Sequence, residues 1–346
     1  MLLSKPQPNI NKEIYGMSNE NEVKRSLTFA EAHDIYKAIV AEVDSVVIGK
    51  HHEIVLLTSA LLAGGHVLIE DVPGVGKTTL AAAIARAAGL SFNRAQFTPD
   101  VMASDITGFN IYNRKTESFE MREGLVMCNL LLADEINRAS PKTQSSLLEA
   151  MEEGRVTVDG VTYDIPDPFC VVATQNPSGY VGTYPLPEAQ LDRFMLKLSM
   201  GYPTLDEEIN IIDSRSRKNP LDEVKTVGGV HEIHEMQRIV RDVTVDQKIY
   251  RYIVSLVAAT RSHASVALGA SPRASVAMMK LSQAYAFTRA RDYVIPDDVS
   301  AVFAHAVGHR LILKQEARLN RVAATDILAE IRRSVEVPYI TGRASV

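Results

Sequence analysis

A glycine-rich segment between two apolar stretches has residue types that suit the binding of phosphate groups. It spans residues 70–79 (EDVPGVGKTT), after the run HVLI and before an alanine-rich stretch. Glycines let backbone N–H groups curl around phosphate oxygens, and a helix starting at the end of the loop adds partial positive charge. In such a loop Lys77 reaches the β- and γ-phosphates, and the Thr78 hydroxyl binds Mg²⁺. The residues predicted to bind a nucleotide here are Pro73, Gly74, Val75, Gly76, Lys77, Thr78 and Thr79.

The first position of this loop departs from the usual pattern. The signature starts with a glycine five residues before Gly76, and this chain has Asp71 there. A carboxylate at that position repels phosphate unless its side chain points away from the loop. The affinity for nucleotide therefore stays open. The possibility that the chain is a scaffold protein that binds nucleotide without hydrolysing it stays open as well.

Two adjacent carboxylates end an apolar run further along the chain. Residues 130–135 (LLLADE) are typical of a strand that finishes in Asp134 and Glu135. Successive side chains of a strand point to opposite faces, so the two carboxylates can have different roles. Asp134 is predicted to hold Mg²⁺, directly or through water, and Glu135 to orient and deprotonate the attacking water as a general base. Alone, such a pair is also typical of a helix cap; the phosphate loop upstream favours the catalytic interpretation.

Short strands and helices alternate around these residues up to about Pro203. Apolar strands alternating with helices predict an α/β domain in which helices cover both faces of a parallel sheet. Residues 105–122 do not fit this alternation, and residues 155–165 alternate around Asp159-Gly160, which predicts a tight hairpin. The predicted strands are 66–70, 130–133 and 169–174, and the predicted helices are 28–44, 51–63, 78–88 and 141–153.

After about Pro203 no further strands are predicted. Helical spacing of apolar residues, with starts at Asp246, Ser271 and Pro296, indicates a smaller all-α domain. The predicted helices are 205–217, 229–240, 246–263, 272–291, 297–311 and 323–335. The predicted organisation is a flexible tail at 1–26, an α/β nucleotide-binding domain at 27–202 and an all-α domain at 203–346.

The composition is that of a soluble globular protein, with 46% hydrophobic and 23% charged residues. A net charge of −5 and a pI near 6.0 give no overall basic field, which disfavours a nucleic-acid partner but does not exclude a local basic pore. Cys128 and Cys170 lie in apolar runs without metal-ligand spacing, which predicts buried thiols in a reducing compartment. No stretch approaches the roughly 20 apolar residues of a membrane span, and residues 1–16 lack the apolar region of a signal peptide. A cytoplasmic location is expected.

Five further stretches occur in an order that is specific to one group of proteins. Together with the loop and the carboxylates they resemble the MoxR family of AAA+ ATPases, in the helix-2-insert group related to magnesium chelatase ATPase subunits. The resemblance covers residues 29–340, nearly the whole chain. The stretches are 134–139 (DEINRA), 141–153 (PKTQSSLLEAMEE), 173–177 (ATQNP), 187–196 (PEAQLDRFML) and 269–274 (GASPRA).

The resemblance implies roles for residues outside the loop. Asn176 is similar to the sensor-1 residue, whose amide donates to phosphate and accepts from the lytic water. Arg193 is similar to the arginine finger, which acts in trans on a neighbour's ATP. Arg273 is similar to the sensor-2 residue, which closes the helical lid on the nucleotide in cis. The segment that resembles the adenine cradle is Val47, Ile48 and Gly49.

Each of these three residues also has a simpler interpretation. Asn176 is then a turn residue before a proline, Arg193 a partner of Asp192 or Glu188 in a surface salt bridge, and Arg273 an ordinary arginine on a helix surface.

The two irregular segments also match features of this group. Residues 105–122 resemble its helix-2 insert and residues 155–165 the hairpin before sensor 1, which point to the pore or the upper face of a ring. Arg138 and Lys142 fit a subunit boundary and a solvated surface equally well.

The function implied is that of an ATPase that uses Mg²⁺ and ATP in a homo-oligomeric ring, expected to be a hexamer. Its expected work is to remodel or mature a protein client, in this family a von Willebrand factor A domain protein. A chelatase-type motor for metal insertion and a DNA-acting motor share the same core and stay open. A P-loop kinase or GTPase is disfavoured, because no acceptor-substrate motif and no NKxD guanine reader is found.

Overall fold

The computed structural model describes residues 25–72, 74–176, 184, 186–215 and 219–339. The helices are α1 (Phe29–Asp44), α2 (His51–Leu62), α3 (Lys77–Ala87), α4 (Ala103–Thr107), α5 (Pro141–Glu153), α6 (Glu188–Leu191), α7 (Leu205–Arg215), α8 (Val230–Asp242), α9 (Gln247–Ser262), α10 (Pro272–Thr288), α11 (Pro296–Val307), α12 (Gln315–Leu319) and α13 (Ala324–Ser334). The strands are β1 (Val67–Glu70), β2 (Phe92–Gln96), β3 (Gly108–Asn113), β4 (Ser118–Glu123), β5 (Leu130–Asp134), β6 (Arg155–Val158), β7 (Val161–Asp164), β8 (Cys170–Gln175), β9 (Leu196–Leu198), β10 (Val266–Leu268) and β11 (Ile312–Leu313).

Five strands form one parallel sheet in the order β2-β5-β8-β1-β9. The three predicted strands are its centre, which confirms the parallel α/β core. Two strands of the sheet were not predicted. β2 has the mostly polar sequence FNRAQ, and β9 is only three residues long, so neither carries a clear apolar pattern.

Alternating side chains of the central strands fill two different cores. On β1, Val67 and Ile69 lie in one buried cluster with α1, α2 and α3, whereas Leu68 lies in a second cluster with α5. Both faces of the sheet are therefore covered, which explains why the strands read as continuous apolar runs.

The first of these cores continues into the C-terminal helices. Helix α10 packs against α2 as well as α8, α9 and α11, and its buried side chains join the same cluster as β1. The predicted boundary at residue 203 stays a prediction, because this core is shared across it.

One expectation about the C-terminal part is wrong. Strands were predicted to end near Pro203, but β10 and β11 form an antiparallel pair among the helices. The pair joins segments of two and three residues that are distant in sequence, and such short pairings leave no periodic signal.

Two hairpins extend from the core. Strands β3 and β4 pair with each other in the segment that was predicted at 105–122, and β4 ends one residue beyond it. Strands β6 and β7 pair around the turn Asp159-Gly160, where both residues have positive φ. The side-chain amide of Asn110 donates to the carboxylate of Asp159 at 2.8 Å, which links the two hairpins.

Among the described residues, no helix has the length and apolar character needed to cross a membrane.

Candidate nucleotide-hydrolysis site

The glycine-rich loop leads from the carboxyl end of β1 into α3. Gly74 and Gly76 have φ values of 91° and 93°, which favour glycine because side chains rarely adopt them. No side chain caps the first turn of α3, so its N–H groups are available to an anion. Pro73, also predicted to bind nucleotide, lies outside the described residues. The loop has the geometry of a phosphate cradle.

Lys77 is buried beneath this loop, with 8% of its surface exposed, and its ammonium donates to the backbone oxygen of Asp71 at 2.9 Å. Burial lowers the pKa of the ammonium, and the nearby charges of Asp134, Asp71 and Glu135 oppose that shift. The lysine is therefore held between the loop and the strand-end carboxylates.

The carboxylate of Asp71 points toward the segment after β9 and accepts hydrogen bonds there. The backbone N–H groups of Met200 and Gly201 donate to its Oδ2 at 2.6 and 2.7 Å, and the Ser199 hydroxyl at 3.0 Å. Burial alone raises the pKa of Asp71, but these bonds and one from the Val72 N–H lower it overall. Asp71 thus ties the loop to the end of β9 and directs its charge to N–H donors.

Replacing Asp71 with asparagine should destabilise the fold by about 1–3 kcal/mol at pH 7, because an amide cannot accept from all these donors. Since the folded-state pKa lies below the ordinary value of 3.8, the stabilisation is complete above that pH. It is lost as the pH falls through the folded-state pKa. Urea unfolding at several pH values measures the difference, with exposed Asp164→Asn as the control. An equal loss at pH 7 and in strong acid would contradict this account.

Asp134 and Glu135 end β5 at the same edge of the sheet as the loop. The Thr174 hydroxyl donates to Asp134 Oδ1 at 2.6 Å and accepts from the Glu135 N–H at 2.8 Å. Glu135 has the left-handed φ of 56°, so the chain turns sharply between the two carboxylates. Arg94 on β2 donates to Asp134 Oδ2 at 2.9 Å. A neighbouring strand on each side therefore orients Asp134.

Three side chains hold the carboxylate of Glu135. Arg138 donates at 2.8 Å, the amide of Gln96 at 3.0 Å, and the amide of Asn176 at 3.2 Å. The bond from Arg138 is the largest cause of a lowered pKa of Glu135; burial opposes it, and the bonds from Asn176 and Gln96 add to it. Glu135 is thus ionised at neutral pH, as a base must be. The structure places the Asn176 amide beside Glu135; its role as the sensor-1 residue stays a prediction.

Sequence reasoning missed the contributions of β2 to this site. Arg94 and Gln96 reach the two carboxylates because β2 pairs with β5, with Gln96 opposite Asp134. The sole signal was the polar ending of FNRAQ, which does not distinguish a strand from a loop. Arg138, left open between a subunit boundary and a solvated charge, forms an ion pair with Glu135.

A cavity beside the loop lies between the α1–α2 connection and the segment after β9. The predicted adenine cradle is here: Val47 and Ile48 line the cavity, and Gly49 meets α7 so closely that a Cβ would overlap the Glu207 side chain. Its φ of 74° also favours glycine. The other residues that line the cavity are Val46, Lys50, Gly74, Val75, Gly76, Thr79, Pro203, Ile211, Ser214 and Pro220.

Arg193 and Arg273 lie together at the opposite edge of the sheet, where the parallel strands begin. Both guanidinium groups contact the carboxylate of Glu152, Arg193 at 3.0 Å and Arg273 at 2.7 Å. Glu152 follows Met151, whose backbone oxygen bonds the ring of His66 at 3.0 Å, and His66 precedes β1. The arginines are therefore at the amino-terminal edge.

This edge is a full strand away from the phosphate loop. From His66 to Glu70 the chain advances about 13 Å at the rise of a strand. Arg193 precedes β9, whose Leu196 pairs with Val67 at the start of β1, and so lies at the same edge. Among the described contacts, Arg273 does not reach the loop of its own chain, and its role in cis stays a prediction. The salt bridge of Arg193 is with Glu152, not with Asp192 or Glu188.

A buried ion pair holds the Arg193 segment against the C-terminal helices. Arg310, with 3% of its side chain exposed, donates to the Asp192 carboxylate at 2.6 Å and to backbone oxygens of Asp192 and Phe194. The hydroxyl of Ser271, which caps α10, donates to the other Asp192 oxygen at 3.0 Å. Asp192 thus connects the segment carrying Arg193 to the helix carrying Arg273.

A parallel sheet with a phosphate loop after β1, two carboxylates at the end of β5 and a polar amide after β8 defines a P-loop ATPase of the AAA+ class. Residues 66–196 match the family model described as ATPase family associated with various cellular activities, and residues 258–331 match that of the AAA lid domain. Chaperone MoxR1 of Mycobacterium tuberculosis is 40% identical over 90% of this chain and 84% of its own length. The chain belongs to the MoxR family of AAA+ ATPases.

Other similar proteins agree with this family. The uncharacterized protein YeaC of Bacillus subtilis is 51% identical over 89% of this chain and 96% of its own length. A crystal structure from Cytophaga hutchinsonii, described as that of a candidate ATPase, has a TM-score of 0.85 and 37% identity over 90% of this chain and 97% of its own. An MCM homolog from Methanopyrus kandleri, with a TM-score of 0.53 and 17% identity over 79% of this chain and 58% of its own, shares the fold.

Proposed function

We propose that the chain hydrolyses Mg·ATP in a head-to-tail ring, expected to be a hexamer, and uses the reaction to remodel a partner protein. The observation that carries this proposal is the division of the site between two edges of the sheet. The loop, Glu135 and Asn176 are at the carboxyl edge, and Arg193 and Arg273 are at the amino edge. A second copy placed head to tail supplies the missing cations, which is the geometry of a heterologous interface.

The residues at the carboxyl edge fit nucleotide and its metal. Thr78 in the first turn of α3 and Asp134 at the end of β5 offer two oxygens, and Mg²⁺ commonly takes one or two protein oxygens with phosphates and water. Bound there, the metal would neutralise charge on the phosphates. The uncapped N–H groups of α3 and the buried ammonium of Lys77 would hold the phosphates themselves.

In the proposed reaction the carboxylate of Glu135 takes a proton from the attacking water, and the Asn176 amide orients that water. As the oxygen of that water bonds to the γ-phosphorus, the bond from the γ-phosphorus to ADP breaks. Lys77, together with Arg193 of the neighbouring copy, stabilises the charge on the transferred phosphoryl group. We assign Arg273 to the same neighbour, because it shares Glu152 with Arg193. Both arginines must leave this carboxylate when they meet the phosphate.

The two linked hairpins are the proposed contact with the client. Phe109, Ile111 and Phe119 on the first hairpin and Val161 on the second are large apolar side chains with 40–72% exposure. Residues 108–123 carry three basic and three acidic side chains, a balance that gives no attraction for a nucleic-acid backbone. This favours a protein client. The family resemblance suggests a von Willebrand factor A domain, and the chaperone name of the relative from Mycobacterium tuberculosis is in keeping with such work.

The rate of hydrolysis per chain should rise steeply with protein concentration, because the arginines act across an interface. Phosphate release measured over a dilution series, beside sedimentation of the same samples, should show activity appearing with the assembly. Lys77→Ala is the control for a contaminating ATPase. A constant rate per chain down to monomeric dilution would overturn the proposed ring. Strong stimulation by single-stranded DNA would favour the DNA-acting alternative.

A further inference from the structure

Helix α7 has two sides that point in opposite directions and meet different surroundings. At 100° per residue, Glu207, Ile211 and Ser214 share one side, and this side meets the nucleotide cavity and Gly49. Leu205, Ile209 and Ile212 share the other side, which we name the outer face of α7. The helix thus closes its own nucleotide cavity with one side and presents the other outward.

The outer face is exposed in the single chain. Leu205 is 77%, Ile209 56% and Ile212 66% exposed, and the preceding Tyr202 is 75% exposed. Three large aliphatic residues at positions i, i+4 and i+7 form a stripe of the kind that helices bury against a partner. An isolated helix of eleven residues is marginal in water, so such a stripe stabilises α7 when it is covered.

A second copy of this chain is the partner that the site geometry brings to α7. The inference rests on the proposed head-to-tail assembly, in which the arginine edge of one copy faces the nucleotide site of the next. Because α7 borders that nucleotide site, the same assembly places α7 close to the arginine edge of the neighbour.

At the arginine edge, exposed apolar side chains lie beside a cleft. A cleft of about 660 Å³ has Glu152, the carboxylate shared by the arginines, in one wall and Tyr250, Met279 and Lys280 in another. Val254 lies one turn after Tyr250 on α9, and Val276 one turn before Lys280 on α10. Tyr250, Val254 and Val276 are 41%, 56% and 50% exposed. We name these residues the α9–α10 groove.

The charges are complementary along one wall of the cleft. Asp206 and Glu208 flank the outer face of α7, whereas Arg241 and Lys280 line the cleft beside the α9–α10 groove; Glu152, Glu153 and Asp167 line it elsewhere. Opposite charges at the rim favour the right register of two apolar surfaces. We propose that the outer face of α7 docks on the α9–α10 groove of the neighbouring copy, so that α7 joins the nucleotide cavity of one subunit to the lid of the next.

Disulfide crosslinking between copies tests this contact directly. Full-length Ile209→Cys and Val254→Cys chains are mixed with Mg·ATP, oxidised mildly, and separated without reductant. The native thiols should not interfere, because burial raises the pKa of both Cys128 and Cys170 to about 12. We expect a crosslink between the two variants; Ile209→Cys with Leu319→Cys on α12, a control position with 73% exposure, should give none.

Assembly gives a second measurement. Ile209→Glu should raise the concentration for half-assembly by about tenfold or more, equivalent to about 1.4 kcal/mol, whereas Leu319→Glu on α12 should leave it unchanged. The docking alone would be overturned if the wild-type chain assembles but the two variants form no 209–254 crosslink. It would also be overturned if Ile209→Cys forms a crosslink with a second Ile209→Cys chain instead. A wild-type chain that stays monomeric with Mg·ATP would overturn the ring and the docking together.

Discussion

Replacing Glu135 with glutamine should lower ATP hydrolysis by about 10²–10⁴-fold, the usual contribution of a general base. Glutamine keeps the size of the side chain and an oxygen that accepts from Asn176, but it cannot take a proton from water. Nucleotide binding should persist, because Lys77 and the N–H groups of α3 are untouched. Single-turnover hydrolysis and equilibrium binding of a fluorescent ATP analogue separate the two effects.

Exposed Glu149 on α5 provides a matched control, since Glu149→Gln makes the same chemical change away from the site. Hydrolysis by Glu135→Gln at the wild-type rate would show that another group is the base. The variant also offers a route to the client, because a ring that holds ATP without hydrolysing it should retain what it has bound. Affinity purification of this form, compared with Lys77→Ala, identifies candidate clients.

Replacing Arg193 with alanine should lower hydrolysis by about 10³–10⁵-fold, the range found for arginine fingers. The variant keeps its own phosphate loop and Glu135. The loss of activity therefore comes from the cation that it no longer supplies to the site of the neighbouring copy. Mixing it with Lys77→Ala, which has an intact arginine but a defective loop, should restore part of the activity. In mixed rings some interfaces combine the intact loop of one variant with the intact arginine of the other.

The same complementation distinguishes the two roles of Arg273. If it acts on the neighbour's nucleotide, Arg273→Ala should recover on mixing with Lys77→Ala, as Arg193→Ala does. A cis residue would not recover, because its own site stays defective. Exposed Arg333→Ala on α13 is the control for loss of a surface cation. Mixtures that assemble but stay inactive would contradict an arginine supplied in trans.

The link through Asp192 bears on how such a ring could transmit a change. Arg310 follows α11 and Ser271 caps α10, and both hold the residue next to Arg193. A buried ion pair with several carbonyl acceptors is costly to break. A shift of the helices that accompanies nucleotide release would therefore carry the arginine with it.

Most of the phosphate-binding half was predictable, because its residues are close in sequence. The loop, the helix after it and the strand-end carboxylates each depend on a few consecutive residues with a local pattern. The order of the sheet could not be found in this way. The polar β2 brings Arg94 and Gln96 to the carboxylates solely through its pairing with β5.

By itself the sequence determined the class of the protein, the phosphate loop and the identity of its acidic partners, because local spacing dictates these features. The tertiary structure decided three others: that the Asp71 carboxylate bonds to the N–H groups after β9, that Arg273 joins Arg193 on Glu152, and that α7 exposes an apolar face. Each depends on a contact between segments that are distant in sequence, and the spacing of residues along the chain carries little information about such contacts.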